Sequence, residues 1–144
     1  EGINELLSAL KQRNMITAVA SRKPWPLVHK ILKDFSFTSY FDVIVGSNPS
    51  DEMKNKADFD QKTRIIKKTF IKLKEIGMTP ALDEKFLSST IMIGDKNYDI
   101  FGAKANKITS AGAAWGYGSL DELADAGADF IFKTPHDLQD FLLT

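Results

Sequence analysis

"STIMIGDKNYDIFGAKAN", residues 89–106, runs from a short apolar stretch into a glycine and then into a helical segment, with Asp95 and Asp99 spaced one helical turn apart at the junction. An apolar run of this length that meets a turn and a helix reads as a buried strand feeding a helix. The same unit recurs on both sides. Upstream, helical "GINELLSALKQRN" (2–14) places Ile3, Leu6, Leu7 and Leu10 on one face, and "MITAVA" (15–20) follows as a strand candidate. "PWPLVHKILKDF" (24–35) opens with prolines, which a first helical turn tolerates, and continues with Leu27, Val28, Ile31 and Leu32 on one face. "DVIVG" (42–46) is the next strand, and polar "SNPSDEMKNKADFD" (47–60) the longest loop. In "QKTRIIKKTFIKLKEIG" (61–77), Ile65, Ile66, Phe70 and Leu73 mark a helix that Gly77 ends. Downstream, the strands "ITSAGAAW" (108–115) and "DFIF" (129–132) flank helical "LDELADAG" (120–127), and "PHDLQDFLL" (135–143) closes the chain. Five strands alternating with about six helices imply parallel crossovers with helices on both faces, a doubly wound parallel α/β sheet.

Composition bounds the function. The 144 residues suffice for a single domain with a sizeable core, and 43% hydrophobic residues is ordinary for a globular protein. Nineteen basic and nineteen acidic side chains cancel, so no overall field favours nucleic acid or an anionic membrane. There is no cysteine, hence no disulfide framework and no thiolate metal site. No apolar run approaches the roughly 20 residues of a membrane span, and a cytoplasmic protein is the expectation.

Ligands of such sheets bind beyond the carboxyl ends of the strands. At the first such end stand Ser21, Arg22 and Lys23, a hydroxyl and two cations beside a helix start, which suits a phosphate and equally describes a plain N-cap. At another stand Asp95 and Asp99. Two carboxylates with no His or Cys nearby suit a hard ion such as Mg²⁺, although acids also decorate helix starts for electrostatic reasons. Lys62 opens its helix just after the long loop, where an ammonium could neutralise a phosphoryl group. Lys67, Lys68, Lys72 and Lys74 read as a solvated face. Trp25 and Trp115 are candidates for lining a pocket or for packing. His29 and His136 have no metal-ligand partner and are assigned no chemistry.

Ser21, Lys62, Asp95 and Asp99, in that order and each at a strand end or helix start, resemble the haloacid dehalogenase superfamily of hydrolases, in its phosphoglycolate phosphatase-like branch. "AVASRKP" (18–24) is similar to the second motif, a strand ending in Ser or Thr. "IGDKNYDIFGAKAN" (93–106) is similar to the fourth, Gly-Asp followed after three residues by Asp, and "GYGSLDELADAGADFIF" (116–132) to the close of this branch. The resemblance implies a Rossmann-like core and a phosphatase that passes a phosphoryl group to an enzyme aspartate and then to water, with Mg²⁺ bound. It implies that Ser21 binds the phosphoryl oxygens with Arg22 and Lys23 beside it, that Lys62 offsets charge on the phosphoaspartate, and that Asp95 and Asp99 form the metal site, Asp99 supporting the shell. Lys54 and Lys56 are the competing lysines; Lys62 is preferred because Ile65 and Ile66 follow at the family's spacing.

The family's first motif, a strand ending in Asp-x-Asp-Gly-Thr, is absent from the sequence; none of Asp34, Asp42, Asp58 and Asp60 follows a buried strand with that Gly-Thr. The nucleophile, a general acid/base aspartate and the helical cap are missing with it. Residues 1–144 are therefore expected to be the C-terminal part of one haloacid dehalogenase-like core domain. In the family the first-motif strand lies between the strands that end at Ser21 and at Asp95, so the sheet is expected in two halves with open edges, completed by the missing segment of the same protein or by a second chain. Two functions follow: a Mg²⁺-dependent phosphatase of a small phosphorylated metabolite, inactive as this chain alone, or a non-catalytic module that keeps the phosphate and metal pockets. A dinucleotide-binding domain is disfavoured, since no strand is followed by Gly-x-Gly-x-x-Gly.

Overall fold

The computed structural model describes residues 1–48 and 60–144. Helix α1 (Ile3–Gln12) precedes β1 (Ala18–Pro24), α2 (Trp25–Asp34), a 3₁₀ turn (Thr38–Tyr40) and β2 (Val43–Ser47). Helix α3 (Gln61–Glu75), the short α4 (Glu84–Ser88), β3 (Ile91–Gly94), α5 (Asn97–Ala105), β4 (Thr109–Ala113), α6 (Leu120–Asp125), β5 (Phe130–Phe132) and α7 (Pro135–Leu143) complete the order. All pairings are parallel, as the alternation of strand and helix requires. Helix α3 ends as its sequence predicts: Gly77 at φ 80° lets the Gly77 and Met78 amides donate to Lys74 and Leu73 carbonyls, at 3.1 and 2.9 Å. One helix was not expected. Residues 84–88 make a single turn started by Asp83, whose carboxylate accepts from the Phe86 amide at 3.0 Å.

Strand β1 also differs from expectation, running on to Pro24 instead of stopping before Ser21. Ala18, Val19 and Ala20 pair in step with Val43, Ile44 and Val45, and the register then shifts before Pro24 meets Ser47. Ser21, Arg22 and Lys23 occupy that irregularity, and a local break in a ladder re-aims side chains at a strand end.

The strands form two ladders, β1–β2 and β3–β4–β5, with no pairing between β1 and β3 among the described residues. Helices join what the ladders do not. Ile65 and Leu73 of α3 pack with Val43 and Val45, while Ile66 and Phe70 of the same helix pack with Ala103 and Ile108, against Ala20 of β1 and Met92 of β3. Ile93, the neighbour of Met92, joins instead the cluster of Leu6, Leu10 and Leu138 from α1 and α7. Successive strand residues point to opposite faces, so this split places α3 and α5 on one face and α1 and α7 on the other. Trp115, partly buried, packs against the α1–α7 cluster. No helix among the described residues is long and apolar enough to cross a membrane.

A polar contact ties β4 to the start of β5. The Ser110 amide and hydroxyl donate to Asp129 Oδ2 at 2.8 and 2.7 Å, and the Asp129 amide donates to Ser110 Oγ at 3.0 Å. These bonds, the amide first, hold the Asp129 carboxyl below the usual carboxylate range. Ser110 is fully buried, so Asp129→Ala leaves its donors without a partner. The expected loss is about 1–3 kcal/mol by urea unfolding at pH 7. Because the folded-state pKa is depressed, the wild-type contribution is complete above the ordinary carboxylate range and is lost as pH falls through the folded value. The gap between variant and wild type should therefore narrow on acidification.

Candidate active site

The end of β1, the start of α3 and the β3–α5 junction converge across the break between the two ladders. Lys62, in the first turn of α3, is 5% exposed and Asp99, in the first turn of α5, is 4% exposed. Lys62 Nζ lies 2.9 Å from Asp99 Oδ1 and also donates to the Ala20 carbonyl of β1. One buried cation thus touches both sides of the open edge. Asp99 uses its other oxygen too, since Oδ2 accepts the Lys96 amide at 3.1 Å as part of the α5 cap. Gly94 makes this approach possible: a Cβ there would stand 2.3 Å from the Asp99 carboxylate.

Asp95 stands where β3 ends, partly exposed, with Oδ2 accepting the Tyr117 amide at 2.8 Å. Its Oδ1 has no hydrogen bond among the described residues. The turn that carries Tyr117 wraps it closely. A Cβ on Gly116 would meet the Asp95 side chain at 2.3 Å, and one on Gly118 would meet the Asp95 carbonyl oxygen at 1.8 Å. Only glycines fit on either side of Tyr117.

Ser21 is half-buried and does not cap α2, whose N-cap is Pro24. Its hydroxyl oxygen accepts the Lys23 amide at 3.2 Å, a local turn contact that leaves the hydroxyl hydrogen available. Arg22 is committed elsewhere: its Nε donates to Gln61 Oε1 at 2.9 Å, and its Cζ lies 4.4 Å from the centroid of the Tyr98 ring. Burial, with the negative field of Asp99 next, pushes the Tyr98 phenol up. The Arg22 stack spans the same break as Lys62, from β1 to α5. Lys23 is exposed.

Sequence reasoning brought together Ser21, Lys62, Asp95 and Asp99, and did not find the groups that hold them. Gln61, Tyr98, the Tyr117 amide and Glu122 all act through contacts between elements. Glu122 accepts the Asn97 amide at 2.9 Å and the Lys96 ammonium at 3.0 Å. The Asn97 amide, then Lys96, holds its carboxyl low, and Glu122 in turn raises the Lys96 pKa. The signal available was Ser119 three residues before Glu122, a helix start in which Ser119 Oγ accepts the Glu122 amide at 3.0 Å.

Other candidates lie apart. Lys54, Lys56 and Asp58 fall outside the described residues. Trp25 is half-exposed, packs with its ring centroid 4.0 Å from that of His29 at a 45° tilt, and lines a 230 Å³ cavity beside β2 with Val45, Asn48, Lys68 and Lys72; this cavity includes none of the four cluster residues. His136 pairs with Asp140 at 3.2 Å on the outer side of α7. Among the described residues no group of three or more His, Cys, Asp or Glu is arranged to hold a metal. Asp95 therefore offers one oxygen ligand, of the chemistry that Mg²⁺ accepts alongside waters and other carboxylates.

Comparison with known proteins identifies the family. The family model described as haloacid dehalogenase-like hydrolase matches residues 1–113. The tyrosine-protein kinase PtkA of Mycobacterium tuberculosis is 30% identical over 93% of this chain and 38% of its own length. The phosphoglycolate phosphatase of Salmonella paratyphi A is 26% identical over 94% of this chain and 48% of its own. Among solved structures, a predicted phosphatase from Clostridium acetobutylicum superposes with a TM-score of 0.78 at 32% identity, over 99% of this chain and 59% of that one. The chain thus spans between 38% and 59% of the length of these proteins.

Proposed function

The chain belongs to the haloacid dehalogenase-like hydrolase family, with its likeness to the phosphoglycolate phosphatase-like branch, and from that premise we propose a phosphohydrolase of small phosphorylated metabolites. In this reading a segment outside the chain, from the same protein or a second one, supplies the strand that fits between β1 and β3 and carries the nucleophilic aspartate. The observation that supports it most is the buried Lys62, held by Asp99 and the Ala20 carbonyl at the mouth of that open edge. A fixed cation at a strand end is what a phosphoryl group needs, since its transfer depends mainly on positioning and charge neutralisation.

Ser21 donates its hydroxyl hydrogen to a phosphoryl oxygen, and Lys23 adds positive field from the exposed side. Lys62 faces the phosphoaspartate, offsetting its charge. The phosphoryl group passes from the substrate oxygen to the aspartate oxygen as the substrate P–O bond breaks, the leaving oxygen taking a proton from the acid/base aspartate of the segment outside the chain; water, giving its proton back to that aspartate, then displaces the nucleophilic aspartate and releases phosphate. Asp95 would hold Mg²⁺ through its oxygen not engaged by Tyr117, while Asp99, whose oxygens accept from Lys62 and the Lys96 amide, would support the site by holding Lys62 and the α5 start. Bound Mg²⁺ would neutralise phosphoryl oxygens. Arg22, engaged by Gln61 and Tyr98, contributes to substrate binding through its remaining N–H groups. This chain by itself is expected to be inactive.

The test is phosphate release from an aryl phosphate by the full-length protein, with and without Mg²⁺. Ser21→Ala should lower turnover by about 10²-fold, the effect of one lost oxyanion donor. Mg²⁺-dependent release with that loss supports the phosphatase. No release with any phosphate monoester would instead favour a module that binds phosphate and metal without turnover.

A further inference from the structure

Asp95 is held from one direction by a single piece of chain, the connection from β4 to α6. The Tyr117 amide in that connection fixes one carboxylate oxygen of Asp95, and Gly118 lies so close that a Cβ there would overlap the Asp95 carbonyl oxygen. The connection then enters α6, where Ser119 caps the helix and so orients its first turn. Glu122 in that turn reaches back across 25 residues of sequence to the Asn97 amide, two residues after Asp95. Its second oxygen meets the Lys96 ammonium. The Asp95–Asn97 segment is thereby gripped twice by one connection: at the Asp95 carboxylate and at the first amide of α5.

We propose that Glu122 is a positioning residue for Asp95, acting through the Asn97 amide to fix where the free Asp95 oxygen points. The inference rests on the proposed reading of Asp95 as a Mg²⁺ ligand. A metal oxygen ligand works only if its orientation is fixed before binding, and groups one step behind a ligand supply that orientation. The amide at the first turn of α5 is otherwise one of the donors a helix leaves unpaired, so a carboxylate there is held by both hydrogen bond and helix field. Asp99 is held separately, its two oxygens accepting from Lys62 and the Lys96 amide. The Lys96 contact is the lesser part: it is a partly exposed ion pair, 32% and 24% accessible at its two side chains, and such pairs contribute little.

Calorimetric titration of the full-length protein with Mg²⁺ alone separates the acceptor role from charge and from plain stability. Glu122→Ala should raise the Mg²⁺ dissociation constant by about tenfold or more, the usual cost of losing a group behind a ligand. Glu122→Asp keeps the charge but is one methylene too short for the Asn97 amide, and should lose as much. Glu122→Gln keeps an acceptor at the right length and should bind Mg²⁺ nearly as wild type does. If Glu122→Ala folds poorly, the Asp and Gln pair alone carries the comparison. Wild-type affinity in Glu122→Asp, or Gln as weak as Asp, would overturn the inference while leaving the phosphatase reading intact. Absence of Mg²⁺ binding by the unsubstituted protein would remove the metal reading, and the inference with it.

Discussion

Replacing Lys62 with methionine in the full-length protein is expected to lower turnover by at least about 10²-fold and to destabilise the fold by about 3–5 kcal/mol. The two losses have different origins. Stability falls because the buried Asp99 carboxyl, 4% exposed, would lose the cation it faces. Turnover falls because the phosphoryl site loses its fixed cation. Adding Asp99→Asn to Lys62→Met separates them. The amide oxygen of that asparagine still accepts the Lys96 N–H, so the α5 cap survives while the buried charge disappears. Urea unfolding of the double variant should recover most of the lost stability, and phosphate release should not recover. If both recover, Lys62 is a structural cation and not a member of the site. Lys56→Ala is the companion measurement: it should leave turnover unchanged, and the reverse result would transfer the role to Lys56.

What could be read from the sequence was whatever depends on local periodicity. Ile65, Ile66, Phe70 and Leu73 announce α3 because one helical face must meet the sheet, and all four are buried there. The four-residue step from Asp95 to Asp99 places both at one junction for the same reason. The sheet was expected in two halves, and among the described residues the ladders β1–β2 and β3–β4–β5 are separate. The residues that complete the site are set by contacts no spacing encodes. Arg22 reads in the sequence as a phosphate-binding cation beside Ser21, whereas its neighbours Gln61 and Tyr98 arrive from two other elements. The extension of β1 to Pro24 depends on Ser47 of β2 offering a pairing position after the register shift. Asp99 reads as part of the metal site, supporting its shell, but that its two oxygens meet Lys62 and the Lys96 amide is a matter of three elements coming together.

Asp95→Asn is expected to abolish the response to Mg²⁺ and to lower phosphate release by at least about 10²-fold, with stability close to wild type. The near-neutral effect on folding follows from geometry: the Tyr117 amide needs only an oxygen acceptor at 2.8 Å, which the asparagine side chain also provides. What changes is the other terminus, where an acceptor oxygen becomes an NH₂ donor facing the cation. A ligand for a hard divalent ion must offer a lone pair and preferably a charge, and this variant offers neither at that atom. Thermal unfolding over a Mg²⁺ series reads the first effect without turnover, because a ligand that binds only the folded state raises Tm with its concentration. The wild-type protein should show that rise and Asp95→Asn should not. Asp99→Asn should retain a weakened rise, since its carboxylate holds Lys62 and caps α5 instead of reaching the ion. An equal and complete loss in both variants would make Asp99 a direct ligand as well, and would require Lys62 to release one of its oxygens.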